Sequence, residues 1–256
     1  VLTFASFIPY GTFWADRIDH YDQLRTGAVD HYNNKTGERL NTVGEFYEVD
    51  SYTIEMERIG NSKIAVHATM NIPKKKEELP IRFSLYPTFE VESIIWNGVE
   101  TDFVKKEHLI TLPEVGQHEI NKLEVNYSGS LHEWGPLYGK EKYFAFLDKK
   151  DMYFPSYIGW YPLPGDYPIY TSIDTETEEY INTIHFNRHI ELNQQLPLSD
   201  YKVTLRNFAQ DVFSTSHESL VETDDSQVFK SKDAKGVTLL SNKGLVDSKE
   251  NLPFSI

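Results

Sequence analysis

Three His-Glu dipeptides are the first residues of this sequence whose types could do chemistry: His118-Glu119, His132-Glu133 and His217-Glu218. On a helix, His-Glu followed by a second histidine one turn on puts two imidazoles on one face for zinc and leaves the glutamate as general base. The residue four places after each histidine is Lys122, Pro136 or Val221. None completes the motif. His185, Asn187, His189 and Glu191 share one parity of a strand-like run, with Ile184, Phe186, Ile190 and Leu192 on the other. At a rise of about 3.3 Å per residue, imidazoles four apart are attached ~13 Å apart, too far for one tetrahedral ion. They read as a solvated sheet face. The acidic runs Asp174 to Glu179 and Glu222 to Asp225 lack the ordered spacing of a calcium loop and read as exposed turns. Ser156 sits in no Gly-x-Ser-x-Gly elbow. No catalytic, cofactor-binding or metal-binding residue is assigned.

Composition narrows the remaining classes. Lys and Arg number 25 against 39 Asp and Glu, a formal charge of −14, and no basic stripe is present. Nucleic-acid binding needs clustered cations that displace counterions from phosphates, so that class is set aside, and docking on anionic lipid with it. The chain has no cysteine, which excludes disulfides, a thiolate nucleophile and cysteine-ligated zinc. This fits a cytosolic protein or an exported Gram-positive one. Val1 to Ala15 is uncharged and apolar but broken by Pro9 and Gly11. It reads either as a segment packed on the domain or as the outer end of a transmembrane helix.

Positioning elements follow from periodicity. Trp14, Ile18, Tyr21 and Leu24 have helical spacing, so a short amphipathic helix is expected from Trp14 to about Thr26. Together with the polar stretch after it, this makes residues 1–44 an amino-terminal segment and 45–256 the main domain. From Tyr52 the period becomes two: Tyr52, Ile54 and Met56; Ile64, Val66, Ala68, Met70 and Ile72; Ile81, Phe83 and Leu85. Each reads as a strand with one buried and one wet face, as in antiparallel sheets. Ile94 to Trp96 runs into Asn97-Gly98, a two-residue hairpin turn. Further strands are expected at 109–112, 123–127, 180–192, 201–205, 227–230 and 237–240. The fold class is mainly β, an antiparallel β-sandwich of two packed sheets with one short amino-terminal helix.

Tyr127 to Tyr170 breaks the pattern. Its aromatic residues lie among Pro136, Pro155, Pro162, Pro164 and Pro168, so regular structure is expected over little of it. Its rings either fill a satellite core or form a docking surface. The functional expectation is docking by Tyr153, Phe154, Tyr157, Trp160, Tyr161 and Tyr167, since tyrosine and tryptophan are favoured anchors.

Ile95-Trp96-Asn97-Gly98, Ile110-Thr111-Leu112-Pro113 and Val125-Asn126-Tyr127-Ser128-Gly129, with Tyr143 to Leu147 and Gly159-Trp160-Tyr161-Pro162 after them, resemble the amino-terminal domain of the zinc aminopeptidases that include aminopeptidase N. The resemblance covers roughly Glu45 to Leu240 and looks closest to bacterial membrane-bound versions fused to ABC-type transporter permeases. It implies a saddle-shaped, antiparallel β-sandwich. The family's Gly-x-Met-Glu-Asn loop and His-Glu-x-x-His helix belong to a separate catalytic domain and are absent, so no catalytic residue carries over. The expected function is a non-catalytic extracytoplasmic domain of a bacterial membrane protein, an ABC-type permease, acting in assembly or partner binding. The alternative is the accessory domain of a zinc aminopeptidase whose catalytic domain lies beyond residue 256. Expected partners are neighbouring domains of the same polypeptide or a membrane partner, on the extracytoplasmic face of the cell membrane.

Overall fold

The computed structural model describes residues 46–241 except 75–79, 107, 114, 117, 138–139, 149–150, 168–195, 209–211, 216–218 and 224–225. The expected amino-terminal helix, the 1–44 segment, the 180–192 strand and the first acidic run lie outside these residues. Every regular element among the described residues is a strand. No helix there is long and apolar enough to cross a membrane.

Alternation builds the largest sheet. β1 (Ser51–Ile59) buries Tyr52, Ile54 and Met56 and turns Glu55 and Glu57 outward. β2 (Lys63–Pro73) pairs with it antiparallel, from Ser51 opposite Asn71 to Ile59 opposite Lys63. β8 (Ile120–Ser130) continues the sheet on β2, and β4 (Glu90–Trp96) follows on β8. Asn97 (φ 51°) and Gly98 (φ 82°) turn β4 into β5 (Val99–Glu100), the hairpin that the Asn-Gly pair predicts. On the other side lie β13 (Ser199–Arg206), β16 (Ser226–Ala234) and β15 (Ser219–Thr223), giving the order β15-β16-β13-β1-β2-β8-β4-β5.

One pair departs from the antiparallel expectation. β13 runs parallel to β1, with Tyr52 opposite Tyr201. A parallel pair needs a long crossover, and the chain between β1 and β13 supplies it while building most strands of the remaining sheets.

Those are two smaller sheets, where one was expected. Five strands, β14 (Phe213–Ser214), β17 (Leu239–Ser241), β11 (Met152–Phe154), β10 (Lys140–Leu147) and β9 (His132–Leu137), lie in that order. Four more, β12 (Leu163–Pro164), β3 (Arg82–Ser84), β7 (Leu109–Thr111) and β6 (Val104–Lys106), form the third sheet. Their buried residues join one hydrophobic cluster with the inner face of the large sheet. The expectation that 127–170 is mostly irregular is therefore corrected, since β9 to β12 all fall inside it. Prolines are compatible with strands at sheet edges, and Pro136 and Pro164 lie in β9 and β12, each at the edge of its sheet.

Candidate functional site

The aromatic stretch 153–167 sits where the three sheets meet. It leaves the five-stranded sheet at β11, turns through Pro155 and Gly159 (φ 75°), and joins the four-stranded sheet at β12. Short bonds hold the turn: Ile158 N–H donates to Pro155 O at 3.2 Å and Tyr86 N–H to Gly159 O at 2.9 Å. Beyond β12, Ser84 Oγ donates to Gly165 O at 2.8 Å and accepts from Tyr167 N–H at 2.8 Å. The large sheet is tied in by Tyr127, whose buried hydroxyl donates to Trp160 O at 2.8 Å. Trp160 Nε1 donates to Val237 O at 3.2 Å.

The rings pack inward. Trp160 meets Tyr161 edge-on at 4.7 Å, and Tyr161 stands edge-on to Tyr52 at 5.5 Å and Tyr201 at 5.9 Å. Phe154, Trp160, Tyr161 and Tyr167 are each 0% exposed. The expected docking surface is thus corrected at these four residues. A ring sealed under the chain's own strands cannot anchor a partner, and sealing it removes the most apolar area from water. Tyr153 and Tyr157 remain half-buried, with their hydroxyls hydrogen-bonded to each other.

Electrostatics keep the cluster neutral. Burial pushes Tyr52, Tyr127 and Tyr161 well above the ordinary tyrosine range. Tyr201 is pushed up to about 12 by burial. Near neutral pH these phenols stay protonated, so none acts as a base or a phenolate nucleophile.

The other candidates are not brought together. His118 and Glu119 lie just before β8, and the His118 backbone bonds Asn121. His132 and Glu133 lie in β9, opposite Phe146 and Ala145. His217-Glu218, the 185–191 face and Asp224-Asp225 lie outside the described residues. Ser156 is buried, with its N–H on Thr238 Oγ1 at 3.0 Å. Among the described residues no three His, Cys, Asp or Glu are placed to hold a metal.

Three polar arrangements were not expected. Arg58, almost fully buried, donates to Gly60 O at 3.0 Å, Asn61 O at 2.7 Å and Asp148 O at 2.5 Å. His108 Nε2 lies 3.2 Å from Asp166 Oδ1. His67 Nδ1 meets Asn126 Oδ1 at 2.8 Å on the open face of the large sheet, and Asn126 Nδ2 donates to Ser93 Oγ at 2.9 Å. Parity was the available signal, because Arg58 follows Tyr52, Ile54 and Met56 on the inward side of β1. The hollow beside His67, over Ala65 and between Glu57 and Arg206, measures about 220 Å³. That is below the ~300–1,000 Å³ of a small-molecule pocket.

No protein-family model and no curated protein matches the chain. Among solved structures it is similar to an M1 zinc metallopeptidase from Deinococcus radiodurans, at 15% identity and a TM-score of 0.49, over 77% of this chain and 42% of that one. It is also similar to leukotriene A4 hydrolase from Saccharomyces cerevisiae, at 12% identity and a TM-score of 0.48, over 77% and 29%. The likeness carries nothing about chemistry. The chain spans less than half the length of either protein.

Proposed function

We propose that this chain is a scaffold: the amino-terminal accessory domain of a larger protein of the zinc aminopeptidase kind, contributing shape and stability while another domain does the chemistry. The bond from Tyr127 Oη to Trp160 O carries the reading, because it joins two of the stretches that carry the resemblance, Tyr127-Ser128-Gly129 and Gly159-Trp160-Tyr161-Pro162. The other residues of those stretches hold structural posts of the same sort. Trp96 Nε1 donates to Gly116 O at 2.8 Å, Asn97 and Gly98 make the hairpin, and Leu112 is core. A Cβ on Gly129 would stand 2.9 Å from Phe89 Cδ1. Residues engaged in this way support a structural role. No comparable feature favours the transporter reading.

The test compares this chain with the complete product of its gene. We expect chelator-sensitive cleavage of aminoacyl anilides and stoichiometric zinc in the complete product, and neither in residues 1–256 alone. Zinc-dependent cleavage by this chain alone, or a complete product without a zinc site, would refute the proposal.

A further inference from the structure

The corner between β4 and β5 holds a reactive pair under restraint. Asn97 precedes Gly98, which carries no side chain to crowd its amide, and apart from its two chain neighbours no heavy atom lies within 4 Å of where a Cβ on Gly98 would stand. In such a pair Gly98 N attacks Asn97 Cγ. A five-membered imide forms, the Cγ–Nδ2 bond breaks, and ammonia leaves with the proton from Gly98 N–H. Water then opens the imide to aspartate or isoaspartate.

The fold ties down both polar atoms of the Asn97 side chain. Oδ1 accepts from Lys122 N–H at 2.8 Å, and Nδ2 donates to Asn121 Oδ1 at 3.1 Å. Asn121 is only 1% exposed. Its Oδ1 also accepts from His118 N–H at 2.8 Å, and its Nδ2 donates to His118 O at 3.0 Å and Ile72 O at 3.4 Å. Attack makes Cγ tetrahedral and expels Nδ2, so the reaction runs against both bonds.

We propose that Asn97 is a spontaneous deamidation site held in check by its bonds to Asn121 and Lys122, and that its conversion unlocks this corner. The aspartate product keeps a side-chain acceptor for Lys122 N–H, whereas isoaspartate reroutes the main chain through Cγ. The aspartate carboxylate replaces the Nδ2 donor with oxygen, so acceptor faces acceptor at a buried amide, a costly arrangement. The Asn121 cluster joins the hairpin to Ile72 of β2 and to the His118 turn, so its loosening is felt on both sides of the corner.

Peptide mapping of aspartate and isoaspartate at position 97 tests this in the whole chain. Two broken bonds of ordinary strength make the native chain slower than the denatured one by about tenfold or more. In sub-denaturing urea the native rate should follow amide exchange of Lys122, whose N–H belongs to the clip. Asn121→Ala should bring the native rate toward the denatured one. If that variant does not fold, the urea series decides alone. Equal native and denatured rates, a rate indifferent to Lys122 exchange, or a folded Asn121→Ala variant with the wild-type rate would each overturn the proposal.

Discussion

The ring of Tyr52 lies flat on that of Tyr201, 4.8 Å between centroids and 1° between planes. The stack follows from the parallel pairing of β1 with β13, which sets these two residues side by side on the inner face. Tyr161 closes it edge-on from the aromatic stretch. Hydroxyls in so dry a place have a consequence at high pH.

Alkaline unfolding is the first prediction. Burial pushes Tyr201 up to about 12 in the fold against ~10 when unfolded, and raises Tyr52 and Tyr161 in the same direction. A raised folded value means that this stability is complete below the unfolded pKa. Above about pH 10 the unfolded chain holds fewer protons than the folded one, so stability falls as pH rises. Phenolate absorbance of the buried tyrosines should therefore appear together with loss of the β-sheet circular dichroism. Ionisation of all tyrosines near pH 10 with the sheet signal intact would contradict it.

Glycine substitutions should separate by position. At Gly129 (φ +155°) an added Cβ would meet Phe89 Cδ1 at 2.9 Å and Thr88 O at 3.1 Å. At Gly236 it would meet Ser156 Cβ at 2.7 Å. Alanine at either should cost about 2 kcal/mol or more. Gly116 has open space, and alanine there should stay within about 0.5 kcal/mol of wild type. Urea denaturation midpoints of the three variants, all equal, would refute the ranking.

Arg58 should not tolerate lysine. Its guanidinium reaches Gly60 O and Asn61 O in the β1–β2 turn and Asp148 O after β10, a spread that one ammonium cannot span. Arg58→Lys is expected to lose about 2 kcal/mol in thermal or urea unfolding, because one ammonium cannot replace all three charge-assisted bonds. A variant as stable as wild type would show that water serves those carbonyls equally well.

What the sequence discloses divides along physical lines. β1, β2 and β8 are legible because each has one wet face, and Asn97-Gly98 is legible because a two-residue turn needs positive φ. The direction of β13 is not, since period two is the same for parallel and antiparallel strands. β9 to β12 are hidden by Pro136 and Pro164, which argue against strands unless one knows that these are edges. For Trp160 and Tyr161, composition reveals abundant rings among prolines without saying which side they face. Burial is settled only when Tyr127, Val237 and the Tyr52–Tyr201 stack close around them.

The central claim is that the aromatic stretch is the interior seam of a scaffold, and replacement of Trp160 tests it most directly. Trp160→Ala removes a fully buried ring that packs on Phe154 and Tyr161 and bonds Val237 O. Thermal unfolding of this chain should show a loss of about 3–5 kcal/mol. At roughly 2–4 °C per kcal/mol, the midpoint should fall by about 6–20 °C. Tyr127→Phe, which deletes only the bond to Trp160 O, should give a smaller fall, on the order of 1–2 kcal/mol. A Trp160→Ala midpoint within about 2 °C of wild type, less than one kcal/mol, would mean that the ring is no part of the core and would contradict the account.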